Sequence, residues 1–220
     1  MEGRKWEELE MECLVNILGR VGLESLLLNV PLVCKSWCKA THNPQCWTRI
    51  VFPSMLYQIN TQQVTFADRL VKSFMTAFLK LVINRSCCNK AGMIALPGFC
   101  TNEALIVAHE CPALRTLFLR YGSSYDKFCV IFMPKLFQIW KNLEDLMLVG
   151  TDKLNEIVTQ ISLHCKNFKT LRVKLCEIKG KETSAIVTNL PNPKQLILRP
   201  LCTSTIVESE DLKTILQGCK

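Results

Sequence analysis

The sequence is poor in the residues and runs that mark several classes of protein. Its 220 residues contain only 9 Gly and 9 Pro, too few for a collagen-like or low-complexity chain. It has no run of about 20 uncharged apolar residues that would form a membrane-spanning helix. Residues 1–8 also lack the apolar run of a signal peptide. We therefore expect a folded, soluble protein that is not exported.

The motifs that accompany common enzyme chemistry are also missing. The sequence contains no Gly-x-Gly-x-x-Gly, no phosphate-cradling Gly-x-x-x-x-Gly-Lys-Ser/Thr, no Gly-x-Ser-x-Gly and no His-Glu-x-x-His. Imidazole groups come only from His42, His109 and His164, and the last two end predicted helices, where a structural role is favoured. The sequence predicts no catalytic residues and no cofactor.

Cysteine and positive charge are abundant. The 13 cysteines are odd in number and irregularly spaced, which, without an export signal, predicts reduced thiols in the nucleus and/or cytoplasm. The net charge of +8 is uneven, because residues 1–60 hold six Lys/Arg and six Asp/Glu and the whole excess lies in residues 61–220. This asymmetry indicates two modules with different partners.

The first module is predicted to be a set of short helices. Apolar residues recur at helical spacing from Glu7 to Val21, and Pro31 can open a later helix. Cysteine and histidine recur every four residues at Cys34, Cys38, His42 and Cys46, which would suit tetrahedral zinc. We favour buried thiols and no metal, because Pro44 breaks the helix before Cys46 and no Cys-x-x-Cys pair is present.

Three strings in this region resemble the F-box, and the resemblance covers about residues 6–52. They are Leu14-Val-Asn-Ile-Leu-Gly-Arg, Leu32-Val-Cys-Lys-Ser-Trp and Asn43-Pro-Gln-Cys-Trp. The resemblance implies a motif that docks a Skp-type adaptor and so joins an SCF-type ubiquitin ligase, although Leu9-Glu10 stands where the motif usually has Leu-Pro. The residues expected to dock the adaptor, or to form the core behind it, are Leu9, Leu14, Ile17, Leu18, Leu26, Val33, Cys34, Trp37 and Trp47, with Trp37 at the centre.

The rest of the chain repeats one string. The matching segments are Phe78-x-x-Leu81-x-Ile83, Leu114-x-x-Leu117-x-Leu119, Leu143-x-x-Leu146-x-Leu148, Phe168-x-x-Leu171-x-Val173 and Pro193-x-x-Leu196-x-Leu198. Their central leucines are 36, 29, 25 and 25 residues apart, close to the leucine-rich-repeat period of about 20–29 residues. A doubly wound α/β domain is the alternative, but it would not usually repeat one string at near-constant spacing. We predict about five strand-helix units with parallel strands on a concave face.

The two modules in this order resemble plant F-box/leucine-rich-repeat proteins. We predict an α-helical F-box over residues 1–52, a helical connector over 53–77 and an α/β leucine-rich-repeat solenoid over 78–220. The resemblance implies the non-catalytic, substrate-recognition subunit of an SCF-type E3 ubiquitin ligase, with a Skp-type adaptor and a cullin-RING ligase as partners. A free-standing repeat scaffold or inhibitor unrelated to ubiquitin is the alternative function.

The target protein is expected on the concave face. In each repeat string the leucines point inward, so strand alternation places the intervening residues on the opposite side. The substrate-binding residues predicted there are Val82, Phe118, Arg120, Met147, Arg172, Lys174, Ile197 and Arg199. Apolar side chains beside cations favour an acidic or phosphorylated segment of the target. A covering loop, or binding on the convex side, remains the alternative.

Two features near the C-terminus add to this prediction. Basic residues cluster from Lys166 to Lys181 with Glu177 as the only acid, which fits a solvated face or a site for an acidic protein. Nucleic acid is less favoured, since interleaved aromatics are missing. The segment from Leu212 to Leu216 reads as a further repeat helix, so we expect the last layer of the solenoid to be uncapped.

Overall fold

The computed structural model describes residues 6–52, 66–86, 91–96, 109–120, 136–150, 153–174, 178–190, 192–199 and 209–219. Short helices at the N-terminus lead into a six-stranded sheet, and helices lie between several of its strands along the chain. This arrangement confirms the predicted fold class, a helical module followed by an α/β repeat solenoid.

Short helices joined by tight turns make up the N-terminal module. They are the 3-10 turn Trp6–Glu8, α1 (Met11–Leu18), α2 (Leu23–Leu28), the 3-10 turn Val30–Leu32, α3 (Lys35–Ala40) and the 3-10 turn Pro44–Trp47. Helix α1 buries Leu14, Val15 and Leu18 on the side that packs against α3. The last turn starts at Pro44, which needs no N–H donor there. The Asn43 side chain completes this turn by accepting a hydrogen bond from the Gln45 N–H at 3.0 Å.

The sheet stacks its strands in sequence order. Its members are β1 (Arg49–Val51), β2 (Met93–Ala95), β3 (Thr116–Arg120), β4 (Asp145–Val149), β5 (Thr170–Lys174) and β6 (Gln195–Arg199). Each strand pairs in parallel with the next. Every unit therefore lies against the unit before it, which is the construction of a solenoid.

One backbone carbonyl in each unit fixes the position of the next unit. The Thr48 oxygen accepts hydrogen bonds from the N–H groups of Gly92 and Met93, at 2.9 and 3.2 Å. Each of three further backbone oxygens, those of Gly92, Arg115 and Glu144, accepts hydrogen bonds from two consecutive N–H groups in the same way. The hydrogen-bond ladder of the repeats thus begins at Thr48, inside the N-terminal module.

Alternating burial along the strands builds the core of the solenoid. In β4, Leu146 and Leu148 are buried while the residues beside them are half-exposed. Helices α5 (Leu154–His164), α6 (Gly180–Asn189) and α7 (Ser209–Gly218) pack side by side in order. The buried face of α5 joins the strand leucines in one continuous core. The predicted inward leucines of β3, β4 and β5 and the predicted helix ending at His164 are confirmed, whereas the leucines of β6 are half-buried.

The first predicted repeat strand is wrong. Residues 78–83 lie in a 20-residue helix, α4 (Phe66–Arg85), and not in a strand. Leu79, Val82 and Ile83 are buried at helical spacing, and no Gly or Pro interrupts the helix. The first two strands are instead β1 and β2, so the sheet has six strands where five were predicted. Residues 53–65, the first part of the predicted connector, lie outside the described residues.

The N-terminal module and the solenoid share one core. The Arg85 guanidinium of α4 lies 5.1 Å from the centre of the Trp47 ring, within cation–π range. The rings of Phe52 and Phe78 meet edge to face, with their centroids 5.8 Å apart. Together with the pairing of β1 and β2, these contacts fix the helical module against the first repeat units.

The described cysteines are outside disulfide bonds. Cys46 and Cys165 are buried, and burial raises the pKa of the Cys165 thiol to about 12. This thiol therefore stays protonated, and it donates a hydrogen bond to the Trp140 carbonyl at 3.4 Å. Among the helices of the described ranges, none combines the length and apolarity needed to cross a bilayer.

Candidate protein-interaction surfaces

Four of the side chains predicted at the adaptor interface form the interior of the N-terminal module. Leu14, Leu18, Leu26 and Trp47 are each no more than 2% exposed. A module of such short helices has few apolar side chains from which to build a core. These four residues supply that core, so their side chains are not available to contact a partner.

A second group of apolar side chains from the same helices faces solvent. This exposed apolar set consists of Trp6, Ile17, Leu28, Leu32 and Val33, with exposures from 44% at Ile17 to 84% at Leu32. It makes up half of the large apolar side chains that are exposed in the described part of the chain. Large apolar side chains that stay exposed on neighbouring helices make these helices a candidate protein-interaction surface.

Only part of the exposed apolar set was predicted. Ile17 and Val33 were expected at the interface, whereas Trp6, Leu28 and Leu32 were missed. Leu28 ends the run Leu26-Leu27-Leu28, and a short helix cannot bury three consecutive leucines on one face. That run, and the apolar residues flanking Pro31, were the available signals.

The three other predicted residues, Leu9, Cys34 and Trp37, are half-buried. Trp37 packs against the module core, and its indole N–H donates to the backbone oxygen of Trp6 at 3.2 Å. Trp37 therefore holds the first turn of the chain against α3 and has only part of its ring available to a partner.

The alternative zinc set does not converge on one point. The Cys46 thiol is buried and points to the backbone oxygens of Ala40 and Val15, at 3.4 and 3.8 Å. The His42 Nδ1 lies 2.9 Å from the Cys38 carbonyl oxygen. In the ranges that the structure describes, no group of three or more His, Cys, Asp or Glu residues is placed to hold a metal ion.

Three rows of residues, aligned by the strand register, cross the face of β3 to β6 that lies opposite the inward leucines. The first row is Thr116, Asp145, Thr170 and Gln195; the second is Phe118, Met147, Arg172 and Ile197; the third is Arg120, Val149, Lys174 and Arg199. The first row is polar, the second mainly apolar and the third mainly basic. We call this surface the strand face.

Seven of the eight predicted substrate-binding residues belong to the strand face. Phe118, Met147, Arg172, Lys174 and Ile197 are half-buried and Arg199 is exposed, while the Arg120 side chain lies outside the described residues. Val82 does not belong to this face, because it is fully buried in α4. Gln195 also lies on this face but was not among the predicted binding residues, and its side-chain oxygen accepts a hydrogen bond from Arg172 at 3.4 Å.

The basic run from Lys166 to Lys181 does not form a single patch. Lys169 lies at the start of β5 and pairs with Glu144, and this hydrogen bond holds the pKa of the Glu144 carboxyl below its usual value. Lys179 and Lys181 lie at the start of α6. Of the basic residues in this run, only Arg172 and Lys174 lie on the strand face, where both are half-buried.

Comparisons with known proteins match both modules. Residues 11–53 match the family described as F-box-like. An F-box/LRR-repeat protein of Arabidopsis thaliana is 28% identical over 220 residues, which cover 98% of this chain and 69% of that protein. A second F-box/LRR-repeat protein of the same plant is 24% identical over 246 residues, covering 99% of this chain and 85% of the relative. The Arabidopsis F-box protein FBW2 is 25% identical over 201 residues, which cover 89% of this chain and 60% of that protein.

These similarities extend across the helical module and the repeat sheet, in the order in which the structure places them. The F-box-like match ends two residues after β1, the strand that joins the helices to the solenoid. The chain thus contains an F-box-like domain and is similar along its length to F-box/leucine-rich-repeat proteins of a plant.

Proposed function

We propose that the chain is the substrate-recognition subunit of an SCF-type E3 ubiquitin ligase. Its F-box docks a Skp-type adaptor and, through it, a cullin-RING ligase, while its strand face binds the target protein. The observation that carries this proposal is the exposed apolar set on a module whose residues 11–53 match the F-box-like family.

The adaptor side of the proposal follows from burial. Leu28, Leu32 and Val33 lie within six residues of one another, at the end of α2 and around the following turn. Full burial of a leucine contributes about 1.5–3 kcal/mol. A partner that covers these three side chains therefore gains enough free energy for a stable complex.

The target side follows from the composition of the strand face. Its middle row offers Phe118, Met147 and Ile197, and its third row adds Lys174 and Arg199. Aromatic, Met and Arg side chains are enriched where proteins bind one another. The shared core fixes this face relative to the exposed apolar set, so a bound target is held in one orientation toward the ligase.

In this role the chain has no catalytic residue, because other subunits carry out ubiquitin transfer. It needs no cofactor, and it works in the nucleus and/or cytoplasm. The alternative is a repeat scaffold or inhibitor that binds a partner without ubiquitin. A scaffold of this kind does not require an exposed apolar set on the N-terminal helices. A measurement of adaptor binding therefore distinguishes the two functions.

A change on the strand face should remove target binding without affecting adaptor binding. We expect Phe118→Asp with Met147→Asp to remove target proteins from proximity labelling in plant cells while adaptor binding stays unchanged, since both side chains are far from the exposed apolar set in the chain order of the solenoid. Burying two unpaired carboxylates costs several kcal/mol, so labelling should fall at least tenfold.

The matched control is Leu163→Asp with Leu212→Asp, at exposed positions of α5 and α7. These changes introduce the same two charges outside both surfaces, and they should leave the labelled proteins unchanged. Equal labelling by the wild type and the strand-face variant would contradict the assignment of this face to the target.

A further inference from the structure

We propose that two copies of this chain form a dimer through the outer edge of β6 and the adjacent side of α7. We call these two elements the last layer. Among the described strands and helices, they lie at the end of the sheet and of the row of helices. Their outer side belongs neither to the exposed apolar set nor to the strand face, so this inference concerns a further interaction surface.

A shared hydrogen bond identifies equivalent positions in the three repeat helices. The first residue after each helix donates its backbone N–H to the carbonyl oxygen of a buried isoleucine. These isoleucines are Ile161 in α5, Ile186 in α6 and Ile215 in α7. Three residues earlier, Val158 and Thr183 are no more than 1% exposed, whereas Leu212 is 47% exposed. A position that is covered in α5 and α6 is therefore uncovered in α7.

The exposed leucines of α7 lie on the side away from α6. A Cβ atom added at Gly218 would lie 2.2 Å from the Cγ1 atom of Val187 in α6, so this side of α7 touches its neighbour. Leu212 and Leu216 are one turn apart, and helical spacing places them on the other side of Ile215 from Gly218. Leu216 is 70% exposed. The two leucines thus form an apolar stripe where a following layer would pack.

Strand β6 is less covered than the strand before it. Leu171 and Val173 of β5 are fully buried, but their partners Leu196 and Leu198 are half-buried. Within the described residues, no strand pairs with the outer edge of β6. An apolar edge strand without Lys or Pro is a template for pairing with another chain. The last layer therefore offers an unpaired strand edge and an uncovered apolar stripe, whereas the outer side of a terminal repeat is usually polar.

The backbone of β6 favours a second copy of the same strand as its partner. Gln195 donates its N–H toward β5, to the Lys169 oxygen at 3.2 Å. Because backbone groups alternate between the two edges, those of Leu196 and Leu198 point outward. Antiparallel pairing about a two-fold axis at Ile197 places Leu196 opposite Leu198 of the second copy. Every outward N–H and C=O group of these leucines is then paired.

The side chains of β6 agree with this register. Ile197 lies opposite its own copy, and β-branched residues pack well at such positions. Gln195 lies opposite Arg199 of the second copy, so two charges of the same sign do not meet. An amide oxygen has two lone pairs, which lets Gln195 accept from this arginine as well as from Arg172. The strand is thus complementary to itself, as an interface between identical copies requires.

The same two-fold axis brings the two apolar stripes together. The axis is perpendicular to the sheet, so both copies keep their helices on one side and each α7 lies beside the other. Leu212 and Leu216 of one copy can then bury the same leucines of the second copy. The strand faces of both copies stay open on the opposite side. Dimerisation therefore does not compete with binding of a target there.

The dimer is tested by sedimentation equilibrium of the full chain at protein concentrations up to about 100 μM. We expect the mean mass to rise toward twice that of one chain. Ile197→Lys should weaken the dimer at least about tenfold, because it places two cations opposite each other across the axis. The matched control is Met147→Lys, at a half-buried position of the same row two strands away. It should dimerise like the wild type.

A mixture of two variants tests the register directly. Ile197→Glu should also weaken self-association, but mixing it with Ile197→Lys should restore a dimer that contains one copy of each, because opposite charges then meet at the axis. Failure of the mixture to pair would overturn the inference. A wild-type chain that stays monomeric would also overturn it, in favour of another occupant of the last layer, such as a further repeat unit. A dimer that persists in Ile197→Lys and is lost in Leu32→Asp would place the contact on the exposed apolar set instead.

Discussion

Leu32→Asp should abolish docking of the Skp-type adaptor without unfolding the chain. Leu32 is 84% exposed, so a carboxylate there costs the free protein little. In the complex, the variant loses the burial of a leucine, about 1.5–3 kcal/mol, and leaves an unpaired carboxylate in the interface at a cost of several kcal/mol more. Affinity for the adaptor, measured by titration calorimetry, should fall by at least about a hundredfold.

The control for this variant is Leu81→Asp, which makes the same change at an exposed position of α4. It should bind the adaptor like the wild type. Both variants should unfold at the same urea concentration as the wild type. If Leu32→Asp keeps wild-type affinity, the exposed apolar set is not the docking surface.

Trp47→Ala should unfold most of the protein under conditions in which the wild type is folded. Trp47 is 1% exposed, its indole N–H donates to the Thr41 carbonyl at 2.7 Å, and Arg85 lies over its ring. Truncating a buried tryptophan costs about 3–5 kcal/mol, a large part of a typical stability of about 5–15 kcal/mol. Because Trp47 links the F-box to α4, hydrogen exchange should accelerate in both modules.

Trp6→Ala provides the comparison, since it makes the same truncation at a side chain that is 54% exposed. Its effect on the free energy of unfolding, measured in urea, should be below about 1 kcal/mol. If the two variants had equal free energies of unfolding, burial of Trp47 would not stabilise the protein. If Trp47→Ala accelerated hydrogen exchange only in residues 6–52, the shared core would not couple the two modules.

Strands β3 to β6 could be predicted because their inward leucines fix the register. A shift of one residue would turn Leu146 and Leu148 to solvent, so the repeated string has only one favourable arrangement. The same string fails at residues 78–83. Phe78, Leu81 and Ile83 fit a strand, but the longer pattern from Phe66 onward fits a helix, and helix formation gains from an uninterrupted length of 20 residues.

Strands β1 and β2 carry little signal of their own. Each has three residues, and neither contains the repeated leucine string. Their position depends on the Thr48 carbonyl and on the strand that follows, which are contacts between segments distant in sequence. Such contacts are set by tertiary packing and are not encoded in local periodicity.

The exposed apolar set was predicted only in part for a similar reason. Leu14, Ile17 and Leu18 follow one helical pattern, yet Leu14 and Leu18 are buried and Ile17 is 44% exposed. An apolar stripe on a helix shows which side chains gain free energy when they are buried. It does not show whether the same chain or a partner buries them. On the strand face, alternation alone was sufficient, because a side chain between two inward leucines must point the other way.

Docking of a Skp-type adaptor by the N-terminal helices can be measured by mixing the purified chain with a purified plant adaptor in a titration calorimeter. We expect a one-to-one complex with a dissociation constant in the micromolar range or below, and a negative heat-capacity change from burial of the exposed apolar set. No binding by the folded wild-type chain at adaptor concentrations of about 100 μM would contradict the proposed adaptor-docking role.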